Sequence, residues 1–259
     1  MTHLKLIING FGKVGQEVKL KAEQDSAWNI IAVVDPTMPS ASHQELVTEI
    51  LTQSDVIIDF SHGNAILPLV QRIATYAPHV RLVLGTSAWN QDSEAIRKLV
   101  SDHGLFFLYG ANFSIATALF MHLVRHASTL CNAFPGFDPS LLDIHHRHKK
   151  DMPSGTAKVI AQDIVDRTDS KNTILYGMED RAIRPEELHV SCLRTGENKG
   201  FHQVTFDSMD EVVTLSQQNR DRGAYALGAL QAGQWLMQQT TPGFYTFDDC
   251  INKTLNIKH

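Results

Sequence analysis

Short apolar runs alternate with stretches of helical periodicity through the first part of the chain. The apolar runs are bounded by glycine or polar residues, which is typical of buried strands. Strands that alternate with helices at this spacing predict a parallel, doubly wound sheet, whose ligands lie beyond the carboxyl ends of the strands. The predicted strands are Leu4–Asn9, Ile30–Val34, Asp55–Phe60, Val80–Leu84 and Leu105–Leu108, and the predicted helices cover residues 13–25, 63–76 and 91–102.

The alternation stops near Asn112, where we place a domain boundary. Ser114–Cys131 has helical periodicity, with Ser114 as its expected N-cap. The elements that follow come in a different order, which predicts a second domain with a mixed or antiparallel sheet. They are the strands 140–148, Glu187–Leu193, Gly200–Phe206 and Glu211–Gln217 and the helices Ser154–Arg167 and Tyr225–Gln239.

A glycine-rich loop joins the first strand to the first helix. It reads Gly10-Phe11-Gly12-Lys13-Val14-Gly15, and the second strand ends in Asp35. In a dinucleotide-binding βαβ unit the three glycines allow a tight turn, the approach of a pyrophosphate and close packing of helix on strand. A turn that merely connects two elements is the alternative interpretation. The predicted fold class is therefore α/β, with a Rossmann-type parallel sheet domain and a mixed α+β domain.

Three further places share the predicted carboxyl edge of this sheet. They are Asp35, the segment Gly85-Thr86-Ser87 and the segment Gly110-Ala111-Asn112-Phe113. For Gly85–Ser87 an ordinary turn is an equally good interpretation. Asp35 has no Arg or Lys close behind it, and a carboxylate there accepts from a ribose 2′-hydroxyl and repels a 2′-phosphate. We therefore expect NADH to be preferred, with NADPH possible.

The composition narrows the class of protein. Of the 259 residues 43% are hydrophobic and 20% charged, which is ordinary for a soluble globular chain. The net charge of -5 argues against a nucleic-acid partner, and no apolar run reaches the roughly 18 residues that would span a membrane. The N-terminus lacks the pattern of a signal peptide, and the three cysteines fit no CxxC spacing. We expect a cytoplasmic protein without disulfides.

One stretch concentrates positive charge in this acidic chain. His145 to Lys150 are six consecutive side chains that carry or can carry a positive charge, and Pro153-Ser154-Gly155-Thr156 follows as the start of a helix. On a strand, His145, Arg147 and Lys149 would share one face. A helix start beside cationic donors favours binding of a carboxylate or phosphate, and histidine can deliver a proton near neutral pH.

Three interpretations of this stretch compete. It can be the solvated basic edge of a strand. It can be a metal site built from His145, His146 and His148, although the flanking Arg and Lys would repel a cation, and we expect no metal. We favour a site for an anionic substrate with a proton donor. Beside a nicotinamide domain, such a site implies reduction of a small acid.

The same residues resemble a known family. His145-His146-Arg147-His148-Lys149-x-Asp151-x-Pro153-Ser154-Gly155-Thr156-Ala157 is similar to the signature of the dihydrodipicolinate reductase family of the diaminopimelate route to lysine. Other segments match in order along most of the chain: Val56–Ser61, Leu84–Ser87, Ala111–Ser114, Arg194–Gly196, Gly200-x-His202 and Gly243–Phe247. The histidine segment is highly specific, whereas the glycine-rich loop alone is not.

The resemblance implies roles for individual residues. His145 would be the proton donor or acceptor, and Lys149 a second proton donor or an electrostatic stabiliser. The substrate carboxylates would be held by His146, Gly155 and Thr156. The dinucleotide would be lined by Gly10, Phe11, Gly12, Lys13, Val14, Asp35, Gly85, Thr86, Ser87, Gly110, Ala111, Asn112 and Phe113.

The resemblance also implies the architecture and the reaction. Residues 1–112 and 223–259 would form the dinucleotide domain, to which the last helix returns, and residues 113–222 would bind substrate and form a homotetramer. The reaction would be NAD(P)H-dependent reduction of 4-hydroxy-tetrahydrodipicolinate, a small dicarboxylate. Two alternatives stay open: another two-domain nicotinamide-dependent dehydrogenase of amino-acid metabolism, or a non-catalytic nucleotide-sensing homologue. This sequence departs from the family at Asp143, where Glu is usual.

Overall fold

The computed structural model describes residues 3–255. They divide into two compact units. The chain up to Ile115 and the chain from Arg222 onward form the first unit, and Ala116–Asp221 forms the second. No helix in this described part of the chain combines the length and the apolar character needed to span a membrane.

Strands and helices appear in both units. The strands are β1 Leu4–Asn9, β2 Trp28–Val34, β3 Val56–Asp59, β4 Arg81–Leu84, β5 Phe106–Tyr109, β6 Asp138–His145, β7 Thr173–Tyr176, β8 Glu187–Arg194, β9 Phe201–Asp207, β10 Val212–Gln218 and β11 Gly243–Thr246. The helices are α1 Lys13–Glu23, α2 Thr48–Leu51, α3 Ile66–Tyr76, α4 Ser93–Asp102, α5 Ile115–Asn132, α6 Gly155–Val165, α7 Gly223–Met237 and α8 Phe247–Thr254.

The sheet of the first unit is wholly parallel, in the order β11-β5-β4-β3-β1-β2. The five predicted strands are all present, and the predicted fold class is confirmed. The sixth strand, β11, was not predicted, because its short run begins with Gly243 directly after Pro242 and looks like a turn. Its pairing with β5, which begins with the Gly243 amide donating to the Leu105 carbonyl at 2.9 Å, makes it a strand.

Both faces of this sheet are buried. Ile7, Ile57, Leu82 and Phe107 join a core with side chains of α3 and α4. On α7, a Cβ added at Gly233 would lie 3.0 Å from the Trp28 side chain, and one added at Gly228 would lie 1.8 Å from the Phe113 carbonyl oxygen. The last long helix therefore lies directly on the sheet of the first unit. Burial on both faces explains why these strands are continuously apolar.

The sheet of the second unit is mixed. Its order is β10-β9-β6-β8-β7, with β6 antiparallel to β9 and parallel to β8. Leu141, Val190, Val204 and Phe206 on one face form a core with α5 and α6. Strand β7 was not predicted, since its run of four residues carries only a weak pattern. The alternation along β6 places Leu141, Asp143 and His145 on the same face.

The prediction that this strand continues to His148 was wrong. Strand β6 ends at His145, which pairs with Arg194, the last residue of the neighbouring β8. Beyond this pair no strand partner continues on that side, and the Lys149 amide instead donates to the His146 carbonyl at 3.1 Å in a turn. The expected sharing of one strand face by His145, Arg147 and Lys149 therefore does not occur.

Candidate active site

The three glycines of the loop Gly10–Gly15 have different surroundings. Gly10 has φ of +89°, and a Cβ there would lie 2.5 Å from the backbone of Phe60. A Cβ on Gly12 would meet nothing within 4 Å, whereas one on Gly15 would lie 2.0 Å from the Gly10 carbonyl oxygen. The first glycine therefore makes the turn, the second leaves open space at the backbone, and the third packs helix against loop.

Helix α1 starts directly at this loop. Gly12 is its N-cap, and no side chain caps the helix, so the first N–H groups can serve an anion. The Asp35 carboxylate accepts from the Phe11 amide at 2.8 Å and from the Thr37 amide at 2.8 Å. Burial raises the pKa of Asp35, but these hydrogen bonds and one from the Met38 amide outweigh it and lower the pKa. Asp35 is therefore a fixed negative charge beside the loop.

Asp59 was not predicted as part of the site, and it joins three strand ends. Its buried carboxylate lies at the end of β3. It accepts hydrogen bonds from the side-chain Nδ2 of Asn9 at the end of β1, from the backbone amide and hydroxyl of Ser61, and from the Thr86 hydroxyl after β4. Burial raises the pKa of Asp59, while these donors oppose the shift. The proton of the Thr86 hydroxyl is thus committed to Asp59, and the residue is buried.

Several residues predicted to bind the cofactor are buried or closely packed in the fold. The Phe11 and Phe113 side chains are buried, so only the backbone of each can line a nucleotide. A Cβ on Gly110 would lie 2.8 Å from the Phe113 ring, and one on Gly85 would lie 2.1 Å from the Phe60 ring. Aromatic packing therefore accounts for the absence of side chains at these two glycines. The remaining predicted positions, Lys13, Val14, Ser87, Ala111 and Asn112, are exposed or half-buried.

In the second unit, the cationic stretch is balanced by acids of the same chain. His145 Nδ1 lies 3.0 Å from Asp143 Oδ1, and Lys149 Nζ lies 2.8 Å from Asp151 Oδ1. Burial raises the pKa of Asp151, but the contact with Lys149 outweighs it and lowers the pKa. The cluster therefore does not depend on an incoming anion for all of its neutralisation.

Asp143 is the buried centre of this group. Its carboxylate accepts from the Ser154 amide at 3.0 Å, from the Ser154 hydroxyl at 2.8 Å and from Arg194 Nη2 at 3.0 Å. His202, which pairs with Asp143 across the antiparallel strands, places Nε2 at 3.3 Å. Burial raises the pKa of Asp143, but His145, His202 and Ser154 outweigh it and hold the pKa well below its usual range.

The start of helix α6 adjoins this centre. The Ser154 hydroxyl caps the helix by accepting from the Ala157 amide at 3.1 Å. Gly155 is exposed, and a Cβ on it would meet nothing within 4 Å, while Thr156 is half-buried. The glycine leaves open space beside the helix start, where the Gly155 amide donates to the Asp151 carboxylate, as the N-terminus of a helix favours an anion.

The other members of the cationic stretch differ in their surroundings. His146 is half-buried, and burial is the main cause that lowers its pKa. Arg147, His148 and Lys150 are exposed, and His148 Nε2 lies 3.7 Å from Glu197 Oε1. The solvated interpretation fits these three better than a role in binding.

A metal is poorly accommodated in the same place. Asp143, His145 and His202 each offer a ligand atom, and the three atoms lie within 4.8 Å of one another. However, both carboxylate oxygens of Asp143 already accept hydrogen bonds, one of them from the Arg194 guanidinium at 3.0 Å. A fixed cation at that distance opposes a metal ion.

Comparison with protein families finds two matches that together cover most of the chain. Residues 4–113 match the model described as dihydrodipicolinate reductase, N-terminus, and residues 116–251 match dihydrodipicolinate reductase, C-terminus. Among curated relatives, 4-hydroxy-tetrahydrodipicolinate reductase of Pelagibacter ubique is 30% identical over 97% of this chain and 99% of its own. The protein of that name from Caldanaerobacter subterraneus is 31% identical over 96% and 99%.

A solved structure has the same fold. It is the dipicolinate-bound dihydrodipicolinate reductase from Paenisporosarcina, with a TM-score of 0.73 and 22% identity. The likeness covers 95% of this chain and 98% of that one. At this level of identity the comparison supports the fold alone.

Proposed function

The chain belongs to the dihydrodipicolinate reductase family, and from this premise we propose how its residues carry out the reaction. It is an NAD(P)H-dependent oxidoreductase that reduces 4-hydroxy-tetrahydrodipicolinate in diaminopimelate and lysine biosynthesis. The observation that carries the proposed roles is the shared contact of Asp143 with His145 and with the start of helix α6. A proton donor and a carboxylate-binding helix start are thereby held side by side.

We assign proton transfer to His145 and Lys149. With Nδ1 of His145 directed to Asp143, Nε2 is the nitrogen left to exchange a proton with the substrate. The Lys149 ammonium stabilises negative charge on the substrate or supplies a second proton. His146 and the backbone of Gly155 and Thr156 hold the substrate carboxylates. The overall change loses water from the substrate, adds one hydride and one proton to the ring system, and leaves tetrahydrodipicolinate and oxidised cofactor.

The nicotinamide cofactor supplies the hydride. The loop Gly10–Gly15 suits it, because a Cβ on Gly12 would occupy open space and helix α1 starts without a side-chain cap. Asp35 accepts from the ribose hydroxyls, and the backbone of the segments 85–87 and 110–113 lines the rest. No residue of the reaction needs a metal ion.

The reaction itself has a direct test. NADH absorbance is followed after addition of the native chain to freshly generated 4-hydroxy-tetrahydrodipicolinate, with NADPH in a parallel series. Oxidation that depends on both enzyme and substrate is the expected result. No oxidation with either cofactor would overturn the function.

The preference for NADH depends on the Asp35 charge. Asp35→Asn keeps the shape and removes the charge, so the ratio of kcat/KM for NADPH to that for NADH is expected to rise about 10- to 100-fold. Asp25→Asn is the matched control, since Asp25 also accepts a backbone N–H, from Ala27 at 2.9 Å, in a turn of the same unit. A native chain that uses NADPH as well as NADH, or an unchanged ratio in Asp35→Asn, would contradict the proposal.

The quaternary state and location complete the proposal. A homotetramer is supported by the face of the second sheet opposite its core, where Leu193 and Val212 are exposed and Leu142 and Ile144 are half-buried. Light scattering should give a mass of four chains of 28.9 kDa, and a monomer would refute this. A cytoplasmic location is supported by Cys131, Cys192 and Cys250, which are free thiols.

A further inference from the structure

Asp143 is linked to residues of the candidate site beyond those that it contacts directly. Its carboxylate contacts His145, Ser154, Arg194 and His202, and the Cys192 thiol of the neighbouring strand β8 also faces it. Arg194 Nη2 also donates to the Asp151 carbonyl oxygen at 2.7 Å, and the Asp151 carboxylate holds Lys149 at 2.8 Å. A continuous chain of polar contacts therefore runs from Asp143 through Arg194 and Asp151 to the Lys149 ammonium.

We infer that Asp143 is the positioning residue of the site, which fixes the ring of His145, the start of helix α6 and, through Arg194 and Asp151, the ammonium of Lys149. The inference rests on the proposed function, because it concerns how those groups are held for that reaction. Asp143 does not touch the substrate in this arrangement; it acts through the groups that do.

The burial of Asp143 and the number of its hydrogen-bond partners support a positioning role. The Asp143 side chain is fully buried, and a buried carboxylate is costly unless it is fully paired. Oδ1 meets the Ser154 hydroxyl and the His145 and His202 rings, and Oδ2 meets the Ser154 amide and Arg194. Leu141 lies two residues before Asp143 on the same face of β6 and is an apolar core residue, so an apolar side chain fits this face. The presence of a carboxylate at this position is therefore explained by the donors that it pairs with.

The contact with His145 determines which ring nitrogen faces the substrate. At 3.0 Å the Nδ1 approach to Asp143 is close but not well aligned, as is common for catalytic groups before substrate binds. It favours a proton on Nδ1 and turns Nε2 away from Asp143, toward Gly200. Gly200 leaves room there, since a Cβ on it would lie 3.2 Å from Nε2. Helix α6 is tied to the same carboxylate through Ser154, so the proton donor and the carboxylate-binding helix start keep a fixed spacing.

The test compares Asp143→Asn with the native enzyme. The amide keeps the size of the side chain but cannot accept from all of these donors at once. We expect kcat to fall about 10- to 100-fold with KM changed by less than about 3-fold, the size usual for a partner that orients a reacting group. The kcat–pH profile should also differ from that of the native enzyme. In ¹⁵N-labelled protein, with the His145 signals assigned by their loss in His145→Ala, the ratio of ring tautomers should change.

Two further variants separate positioning from folding. Asp143→Glu restores the carboxylate and is expected to recover most of kcat and the native pH profile. Asp163→Asn is the matched control, because Asp163 lies in the same unit and contacts Arg125 at 2.8 Å and Arg167 at 3.1 Å away from the candidate site. It should lower the melting temperature and leave kcat and its pH profile unchanged.

Several outcomes would overturn the inference. They are native kcat and pH profile in Asp143→Asn, an effect confined to KM, or an equal loss of kcat in Asp163→Asn. Loss of all activity together with unfolding in Asp143→Asn leaves Asp143→Glu to decide: a folded Asp143→Glu without recovery of kcat refutes the inference. Failure of the proposed function is distinct, because the native chain itself would then not oxidise NADH with this substrate.

Discussion

Replacement of His145 or of Lys149 by alanine is expected to lower kcat by about 10²-fold or more, the usual contribution of a positioned acid. The His145→Ala variant lacks the ring whose Nε2 exchanges the proton. The Lys149→Ala variant lacks the ammonium that Asp151 holds at 2.8 Å. Both side chains are largely buried, with exposed fractions of 12% and 24%, so neither is a solvated surface charge. Steady-state oxidation of NADH with fresh substrate measures the effect.

The same stretch offers a matched control for each variant. His148→Ala and Lys150→Ala remove the same residue types from neighbouring positions, and both side chains are exposed. They should keep kcat within about 3-fold, because they remove long-range charge only. Full activity in His145→Ala and Lys149→Ala would refute the assigned roles, and equal losses in the control pair would reduce the effect to net charge.

Asp59→Ala should lower the free energy of unfolding by about 2–4 kcal/mol, because it leaves several buried donors without an acceptor. The Thr86 hydroxyl at 2.6 Å and the Ser61 amide at 3.0 Å lose their acceptor. Because Asp59 is fully buried, bulk water does not replace it. The KM for the cofactor should rise as well, because these groups set the loops after β3 and β4. Urea unfolding monitored by circular dichroism measures the first effect.

A control lies at the opposite end of the same strand. Asp55 accepts from the Lys5 amide at 2.7 Å at the surface, so Asp55→Ala removes one exposed hydrogen bond. We expect a loss below about 1 kcal/mol and an unchanged cofactor KM. If Asp59→Ala were no more destabilising than Asp55→Ala, Asp59 would not organise the strand ends as described.

The parallel sheet was largely predictable, because its signal is local. Each of β1 to β5 is an apolar run such as Leu6-Ile7-Ile8, buried on both faces and punctuated by glycine or polar residues. The glycine roles were also predictable, since the loop sequence specifies its own turn. By contrast β11 needed its partner: Gly243–Thr246 is a strand because β5 lies beside it. Such a non-local pairing leaves little trace in four residues.

The candidate site was predictable in its reacting groups but not in its support. His145, Lys149 and the helix start at Gly155 lie in one short stretch. Asp143 was noted only as a departure from the family pattern, and Arg194 and His202 come from other strands. Their meeting depends on the register in which β8 and β9 flank β6, where Asp143 pairs with His202 and His145 with Arg194. The pattern within a strand shows which side chains share a face, but the strand order that places β8 and β9 beside β6 is not contained in it.

The route of the chain through the first unit affects the order in which the protein is made. The ribosome releases residues 116–221, which form the whole second unit, before it releases α7 and β11. Until α7 and β11 are made, the sheet of the first unit has β5 as an unpaired edge. It also lacks the helix that packs against Phe113 and Trp28. The second unit is therefore complete in the chain before the first unit is, although the first unit begins at the N-terminus. In a released chain that ends at residue 222, the second unit should resist proteolysis and the first unit should not.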